Sequence, residues 1–173
     1  MYVRADVKND TLFTLAKLLE PDIILNNKGN PSFGSEESKT LRAAALEKGI
    51  HSVTVEYGDP QVFQTVMISR GVNGILNIMA WLGMLTEPEK VKKLPVICKK
   101  SYWMYTDAGG YLEVLVELNQ VIEKGAPIAI VRNAVGDKIK EYYAPESGIV
   151  IGKSTNPVAM SGDRILHLGI LDR

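Results

Sequence analysis

Gly49-Ile-His-Ser-Val-Thr-Val-Glu-Tyr-Gly58 is the stretch whose reading decides the fold. Ser52 to Glu56 is short, β-branched at Val53, Thr54 and Val55, and flanked by glycines, which reads as a strand. The strand ends by setting one carboxylate, Glu56, against a Tyr57-Gly58-Asp59 turn. A carboxylate that closes an apolar strand is expected to be partly desolvated. Burial disfavours the charged form, raises the pKa and suits the group to proton transfer near neutral pH. An exposed glutamate at a strand end is the plainer alternative, and the strand alone leaves both open.

Upstream, Lys48-Gly49 supplies a cation and a glycine to close a helix. That helix is expected to be capped by Ser35, to hold Glu36 and Glu37 at its positive end, and to bury a small apolar face of Leu41, Ala43, Ala44 and Ala45. Before it, Asn26 to Ser35 has the asparagine, glycine and proline content of a loop. Asp22-Ile-Ile-Leu25 is too short and too β-branched for a helix and reads as a buried strand. Thr11 to Leu19 carries Leu12, Leu15, Ala16 and Leu19 at helical spacing, with Asp10 or Thr11 as cap and Pro21 as stop. Strand, loop, helix and strand within about 35 residues is the length of a crossover unit, which makes its two strands parallel neighbours. Ligands of parallel α/β sheets gather beyond the carboxyl ends of the strands. One cleft is therefore expected between the Asn26–Ser35 loop and the Glu56 turn.

Downstream, Gln61 to Leu85 places Val62, Val66, Ile75, Met79 and Leu82 near helical spacing, with further apolar residues all round. Gln64, Arg70, Asn73 and Asn77 interrupt it and Gly71 and Gly74 weaken it, so it reads as a buried helix, not a membrane span. Met67, Met79 and Met84 read as core filler. Glu87-Pro88 ends the helix, and the charged run Glu89 to Lys93 between Pro88 and Pro95 suggests a boundary. The expected division is an α/β part over 1–92 and a β-rich module over 93–173. In the latter, Ser101–Tyr105, Gly110–Val116, Pro127–Arg132, Lys138–Tyr143, Gly148–Ile151 and Arg164–Leu168 read as short strands between glycine-containing turns. Val121-Ile-Glu-Lys-Gly-Ala-Pro-Ile and Val158-Ala-Met-Ser-Gly-Asp-Arg-Ile rhyme, in the manner of the barrel-sandwich hybrid of biotinyl and lipoyl carriers. Lys138 is the one candidate for a carrier lysine, but no methionine or acidic signature flanks it. The module reads as structural.

Twenty basic and twenty acidic residues cancel, which removes the electrostatic footprint of nucleic-acid binding and any basic run for an anionic membrane. The one cysteine, Cys98, fits a reducing compartment and reads as a buried structural thiol. Met1-Tyr-Val-Arg-Ala-Asp6 has no secretory pattern, so the cytoplasm is the default location.

Three runs carry a family resemblance: Leu41-Arg-Ala-Ala-Ala-Leu-Glu-Lys-Gly-Ile-His-Ser-Val-Thr-Val-Glu-Tyr-Gly58, Tyr143-Ala-Pro-Glu-Ser-Gly-Ile-Val-Ile-Gly-Lys-Ser-Thr-Asn-Pro157, and Gly162-Asp-Arg-Ile-Leu-His-Leu-Gly169. In this order they resemble the succinylglutamate desuccinylase/aspartoacylase family. The resemblance runs from about Tyr2 to Leu171 and matches the later part of a family member. It implies part of a zinc-carboxypeptidase-like mixed sheet with helices, followed by a barrel-sandwich-like β-module. It further implies hydrolysis of the amide bond of N-acyl amino acids by a zinc-bound water, with a glutamate moving the proton. Glu56 in Thr54-Val-Glu56 matches that glutamate.

The family's metal ligands lie in a His-x-x-Glu motif and a later histidine, both of which would precede Tyr2. Zinc is thus expected of the full-length family member and not of this chain, which is expected to be inactive alone. The two histidines offer no substitute: His51 and Glu56 stand about 17 Å apart along a strand, and three convergent ligands are needed. Arg4, in Val-Arg-Ala-Asp, and Arg42, in Leu-Arg-Ala-Ala, are the candidates for holding a substrate carboxylate, because guanidinium forks suit carboxylates. Asn26, Asn27 and Lys28 are weaker candidates by loop position. The second reading is a non-enzymatic relative that binds a small ligand or a partner chain, and either reading allows self-association through an exposed sheet edge.

Overall fold

The computed structural model describes residues 1–29, 40–86, 91 and 93–171. The chain divides into two compact units, Met1–Ile97 and Cys98–Arg173.

The first unit comprises β1 (Tyr2–Ala5), α1 (Asp10–Leu18), β2 (Ile23–Asn26), α2 (Leu41–Glu47), β3 (Thr54–Glu56) and α3 (Thr65–Trp81). Asn9, not Asp10 or Thr11, caps α1: its Oδ1 accepts from the Leu12 N–H at 3.0 Å. The expected Ser35 cap and the Glu36–Glu37 turn lie outside the described residues, as do Glu87-Pro88 and most of the Glu89–Lys93 run. The described helix α2 begins after Thr40, whose Oγ1 accepts from the Ala43 N–H at 3.2 Å.

The crossover expected from Asp22 to Glu56 is not the one formed. β2 pairs in parallel with β1, and β3 pairs antiparallel with β1, not with β2. The reason is edge occupancy: on its other side the β2 segment is already engaged, the Asp22 carbonyl accepting from the Val96 N–H at 2.9 Å, so the free edge is that of β1. β1 is the strand that the sequence analysis above does not include, and in it Val3 and Ala5 alternate with Tyr2 and Arg4 in the period of a half-buried strand. Val3, Ala5 and Ile24 turn to one face and form a core with Ala16 and Leu19 of the α1 segment, flanked by Val55 and Ile78.

Helix α3 contradicts its expected all-round burial. Its inward side is small and polar: Gly74 and Asn77 are its buried residues, and Asn77 Nδ2 donates to the Leu18 carbonyl at 3.1 Å. Arg70 also turns inward, reaching the Glu20 carbonyl at 2.8 Å and both oxygens of Asp22 at 3.1 and 3.2 Å. The apolar residues Val66, Ile68, Val72, Ile75 and Leu76 are exposed. Among the described residues no helix is long and apolar enough to cross a membrane.

The second unit is all-β, as the alternating pattern predicts. Its elements are β4 (Val96–Tyr105, from Cys98 onward in this unit), β5 (Gly110–Val114), β6 (Val121–Ile122), β7 (Pro127–Arg132), β8 (Lys138–Tyr143), β9 (Gly148–Lys153), β10 (Val158–Ala159) and β11 (Arg164–Leu171). They form antiparallel arrays in the orders β4-β11-β9-β6 and β10-β5-β7-β8. Ile128, Val131, Val150, Ile165, Leu166 and Leu168 are among the residues that fill the core between them. Two sheets share one core, and among the described residues the strand pairings show no closed barrel. Cys98 is fully buried, and burial pushes its thiol up to about 11, as befits a structural residue. Lys138 opens β8 and pairs with Glu141, so it does not stand at the hairpin tip a carrier lysine needs.

Candidate functional site

The pairing of β1 with β3 sets the site. Tyr2 stands directly opposite Glu56, and Arg4 opposite Thr54. Successive strand residues point to opposite faces, so Tyr2, Arg4, Thr54 and Glu56 share the face away from the Val3–Ala5 core. Arg4 Nη2 donates to the Tyr2 hydroxyl at 3.2 Å, and its guanidinium lies 5.3 Å from the Tyr2 ring centre. Burial raises the pKa of that hydroxyl, Arg4 works against the rise by charge and hydrogen bond, and Glu56 adds to it both as a nearby negative charge and as a hydrogen-bond partner. Arg4, Tyr2 and Glu56 thus form a polar chain along one face of the sheet.

Arg42 joins the group from α2. Leu41 is 89% exposed and Arg42 only 9%, the reverse of the apolar face expected for this helix. The inversion follows from the anchor: Arg42 Nη1 donates to the Asn27 carbonyl at 2.7 Å and Nη2 to Asn27 Oδ1 at 2.6 Å. Asn27 Oδ1 also accepts from the Gly29 N–H at 2.7 Å, and the Gly29 carbonyl accepts from Thr40 Oγ1 at 2.6 Å. Gly29 has φ +94°, and a Cβ there would stand 3.3 Å from both the Ala43 nitrogen and Thr40 Oγ1, so glycine is what lets this turn lie against the start of α2. Burial lowers the Arg42 pKa, the like charge of Arg4 lowers it further, and Asp6 partly compensates. Two guanidiniums therefore lie within electrostatic reach of each other. Arg42 Nε is buried with no hydrogen-bond partner among the described residues.

Two expectations about Glu56 are corrected. Its side chain is exposed, not partly buried, because it ends a three-residue strand with β1 on one side only. Nor do Asn26–Gly29, the described part of the expected loop, and the Glu56 turn lie together at the carboxyl ends of parallel strands; the rest of that loop lies outside the described residues. β3 runs antiparallel, so Glu56 lies level with Tyr2, whereas Asn26 lies level with Ala5, about 10 Å further along. Asn27 holds Arg42, Asn26 Oδ1 accepts from the Val7 N–H at 3.3 Å, and Lys28 is exposed. Tyr2, which bridges Arg4 and Glu56, was missed; the alternation of Val3 and Ala5 was the available signal.

The described residues do not fit zinc. No group of three or more His, Cys, Asp or Glu among them is placed to hold a metal ion. His51 is exposed in the first unit. His167, in the second, is 2% exposed, has Nε2 2.9 Å from Ser101 Oγ and stacks on Trp103 at 4.7 Å between ring centres.

No protein-family model and no curated protein matches the sequence. Solved structures do. The chain has the fold of succinylglutamate desuccinylase/aspartoacylase proteins, the family its motifs resemble. A succinylglutamate desuccinylase from a Silicibacter species superposes with a TM-score of 0.78 at 19% identity, over 99% of this chain and 53% of its own. The product-bound ectoine utilization protein EutE (DoeB) from Ruegeria pomeroyi gives 0.81 at 18%, over 98% and 53%. A succinylglutamate desuccinylase/aspartoacylase from Rhodobacter sphaeroides gives 0.78 at 12%, over 99% and 54%. The chain spans about half the length of these solved relatives.

Proposed function

We propose that the first unit carries the carboxylate-binding and proton-transfer part of a deacylase site acting on N-acyl amino acids. The observation that supports this is the joining of Arg4 and Glu56 through Tyr2 on one sheet face, with Arg42 close enough to Arg4 for their charges to repel. A substrate carboxylate beside these guanidiniums relieves that repulsion and offers an acceptor in fork geometry. Glu56, exposed at the strand end, is free to meet water. In amide hydrolysis the water oxygen bonds to the acyl carbon while Glu56 takes the water's proton; the C–N bond then breaks as Glu56 gives that proton to the leaving amine.

The described residues supply no metal-ion cluster to polarise the carbonyl, so the chain alone binds substrate without turnover. Self-association and a cytoplasmic location belong to the same reading. Calorimetric titration with an N-acetyl amino acid and with its methyl ester tests it. Binding of the acid, at least about tenfold weaker for the ester, is the expected result. Equal binding of both, or none of either, sinks the reading, and zinc-stimulated hydrolysis by the chain alone refutes the inactivity. The second reading, a ligand-binding relative without catalysis, is favoured by the lack of a metal-ligand cluster among the described residues. It predicts that Glu56→Gln leaves every function of the assembled protein intact.

A further inference from the structure

Every described arginine but one spends its donors inside the chain. Arg4 donates to the Tyr2 hydroxyl, Arg42 to Asn27, Arg70 to Asp22 and the Glu20 carbonyl, and Arg132 to Glu113. Arg164, in the second unit, donates to no acceptor among the described residues. It is held by its flat face instead: the guanidinium lies 4.7 Å from the Trp103 ring centre, and Trp103 stacks on the buried His167 at 4.7 Å between ring centres. A guanidinium seated on an aromatic ring is oriented without using an N–H, so its fork stays open. A bulge in β11 puts it there. Ile165 and Leu166 are consecutive, yet both lie in the core of the second unit, and the register with β4 slips between Arg164 and Leu166. Strand residues otherwise alternate between faces, so the extra residue turns Arg164 to the face of Trp103, Tyr105 and His167, away from that core. Re-aiming a side chain beside a site is a recurrent use of bulges.

The open fork lines a cavity of about 390 Å³, together with Tyr105, Ser154, Asn156, Val158 and Asp163. The lining names the ligand. An unspent planar fork suits an oxyanion, a carboxylate or a phosphate. Asp163 stands at the same wall, fixed by the Met160 N–H, which donates to its Oδ2 at 2.7 Å. A second negative charge on the ligand would meet this carboxylate, so one charge fits and two do not. Asn156 spends its Oδ1 on the Val158 N–H at 3.1 Å, which leaves its Nδ2 to donate. Tyr105 and Val158, 49 and 53% exposed, give the cavity an apolar wall. We propose that this cavity binds a small monocarboxylate with a short apolar tail, Arg164 taking the carboxylate and Tyr105 and Val158 the tail. The unusual support of Arg164 then has a purpose: a ring beneath the guanidinium fixes its direction while consuming none of the donors that the ligand needs. The site lies wholly in the second unit, and the inference is independent of the proposed function.

Nitrogen–proton correlation NMR on the full chain, titrated with isocaproate, tests it. The Trp103 indole N–H and the Arg164 Nε–H shift together and saturate, with a Kd of about 1 mM or tighter. Isocaproamide, which lacks the charge, and inorganic phosphate, which carries more of it, each bind at least about tenfold more weakly. Arg164→Gln, followed at Trp103 with circular dichroism as the folding control, loses about tenfold or more in affinity. Should that variant fail to fold, the comparison of acid, amide and phosphate on the wild type decides alone. Shifts that do not saturate by about 10 mM, discrimination of less than about tenfold against the amide or phosphate, or undiminished binding by a folded Arg164→Gln chain would each overturn the inference.

Discussion

The Arg42 guanidinium holds Asn27 by two hydrogen bonds, at 2.7 Å to its carbonyl and 2.6 Å to its Oδ1. This grip turns a charged residue inward on a helix whose leucine is left in solvent. It also holds the cation within electrostatic reach of Arg4.

Arg42→Ala therefore removes an anchor as well as a charge. It takes the guanidinium donor from the half-buried Asn27 carbonyl and leaves Asn27 Oδ1 with the Gly29 N–H alone, which costs about 1–2 kcal/mol. Arg42→Lys keeps the charge but cannot make the fork, and recovers half of that cost or less. Urea denaturation of the three chains checks the order wild type, lysine, alanine.

Glu56→Gln separates chemistry from stability. The side chain is exposed, so stability changes by less than about 0.5 kcal/mol, whereas the proton transfer proposed for this residue would be lost. The Tyr2 hydroxyl also loses the negative charge that helps raise its pKa. An ultraviolet titration of Tyr2, read by difference against Tyr2→Phe, moves to lower pH in the glutamine variant.

Asp22 gives the first unit an acid-side dependence. Burial alone would raise its pKa, but hydrogen bonds from Arg70, the Met1 ammonium and Lys93 outweigh it and hold the carboxyl well below the usual range. A folded-state pKa below the unfolded value of about 3.9 stabilises the fold fully above that pH, and the contribution is lost as pH falls through it toward the folded value. Asp22→Asn loses on the order of 2 kcal/mol at pH 7 and shows a shallower decline below pH 4, measured by denaturation across that range.

Gly74 sets the distance between α1 and α3. An alanine gains about 1 kcal/mol of helix propensity, but its Cβ would stand 3.0 Å from the Leu19 Cα, a main-chain atom that cannot swing away. A valine adds two more carbons to the same space and a β-branch, so Gly74→Val destabilises by about 2 kcal/mol or more. Thermal unfolding of the alanine and valine variants checks that valine is the worse by a wide margin.

Local pattern carried most of the elements. The helices of the first unit, the strand bearing Glu56 and the strands of the second unit follow from spacing and turn residues, because those signals act over a few residues. The choice of Arg4, Arg42 and Glu56 as candidates rested on motifs that resemble one family, and the solved structures share that family's fold. What spacing could not give was the partner of each strand. The Asp22–Glu56 run looks like a crossover, yet the Val96 N–H occupies the other side of the β2 segment and β3 joins β1 instead.

The Gly49–Gly58 stretch thus determined by itself that a strand ends in a carboxylate beside a glycine turn. Gly58 has φ +59°, and a Cβ there would lie 1.9 Å from Gln64 Oε1, so this turn is written directly in the residue type. Only the tertiary structure decided that the strand runs antiparallel at an edge, that Glu56 is exposed, and that it meets Arg4 by way of Tyr2. It also decided that α3 turns Asn77 and Arg70 inward and Ile68 and Ile75 outward. The physical reason is the same in each case. A residue's type sets what it can bond to, but which long-range donor, acceptor or apolar surface lies opposite is fixed only when the sheet edges are filled.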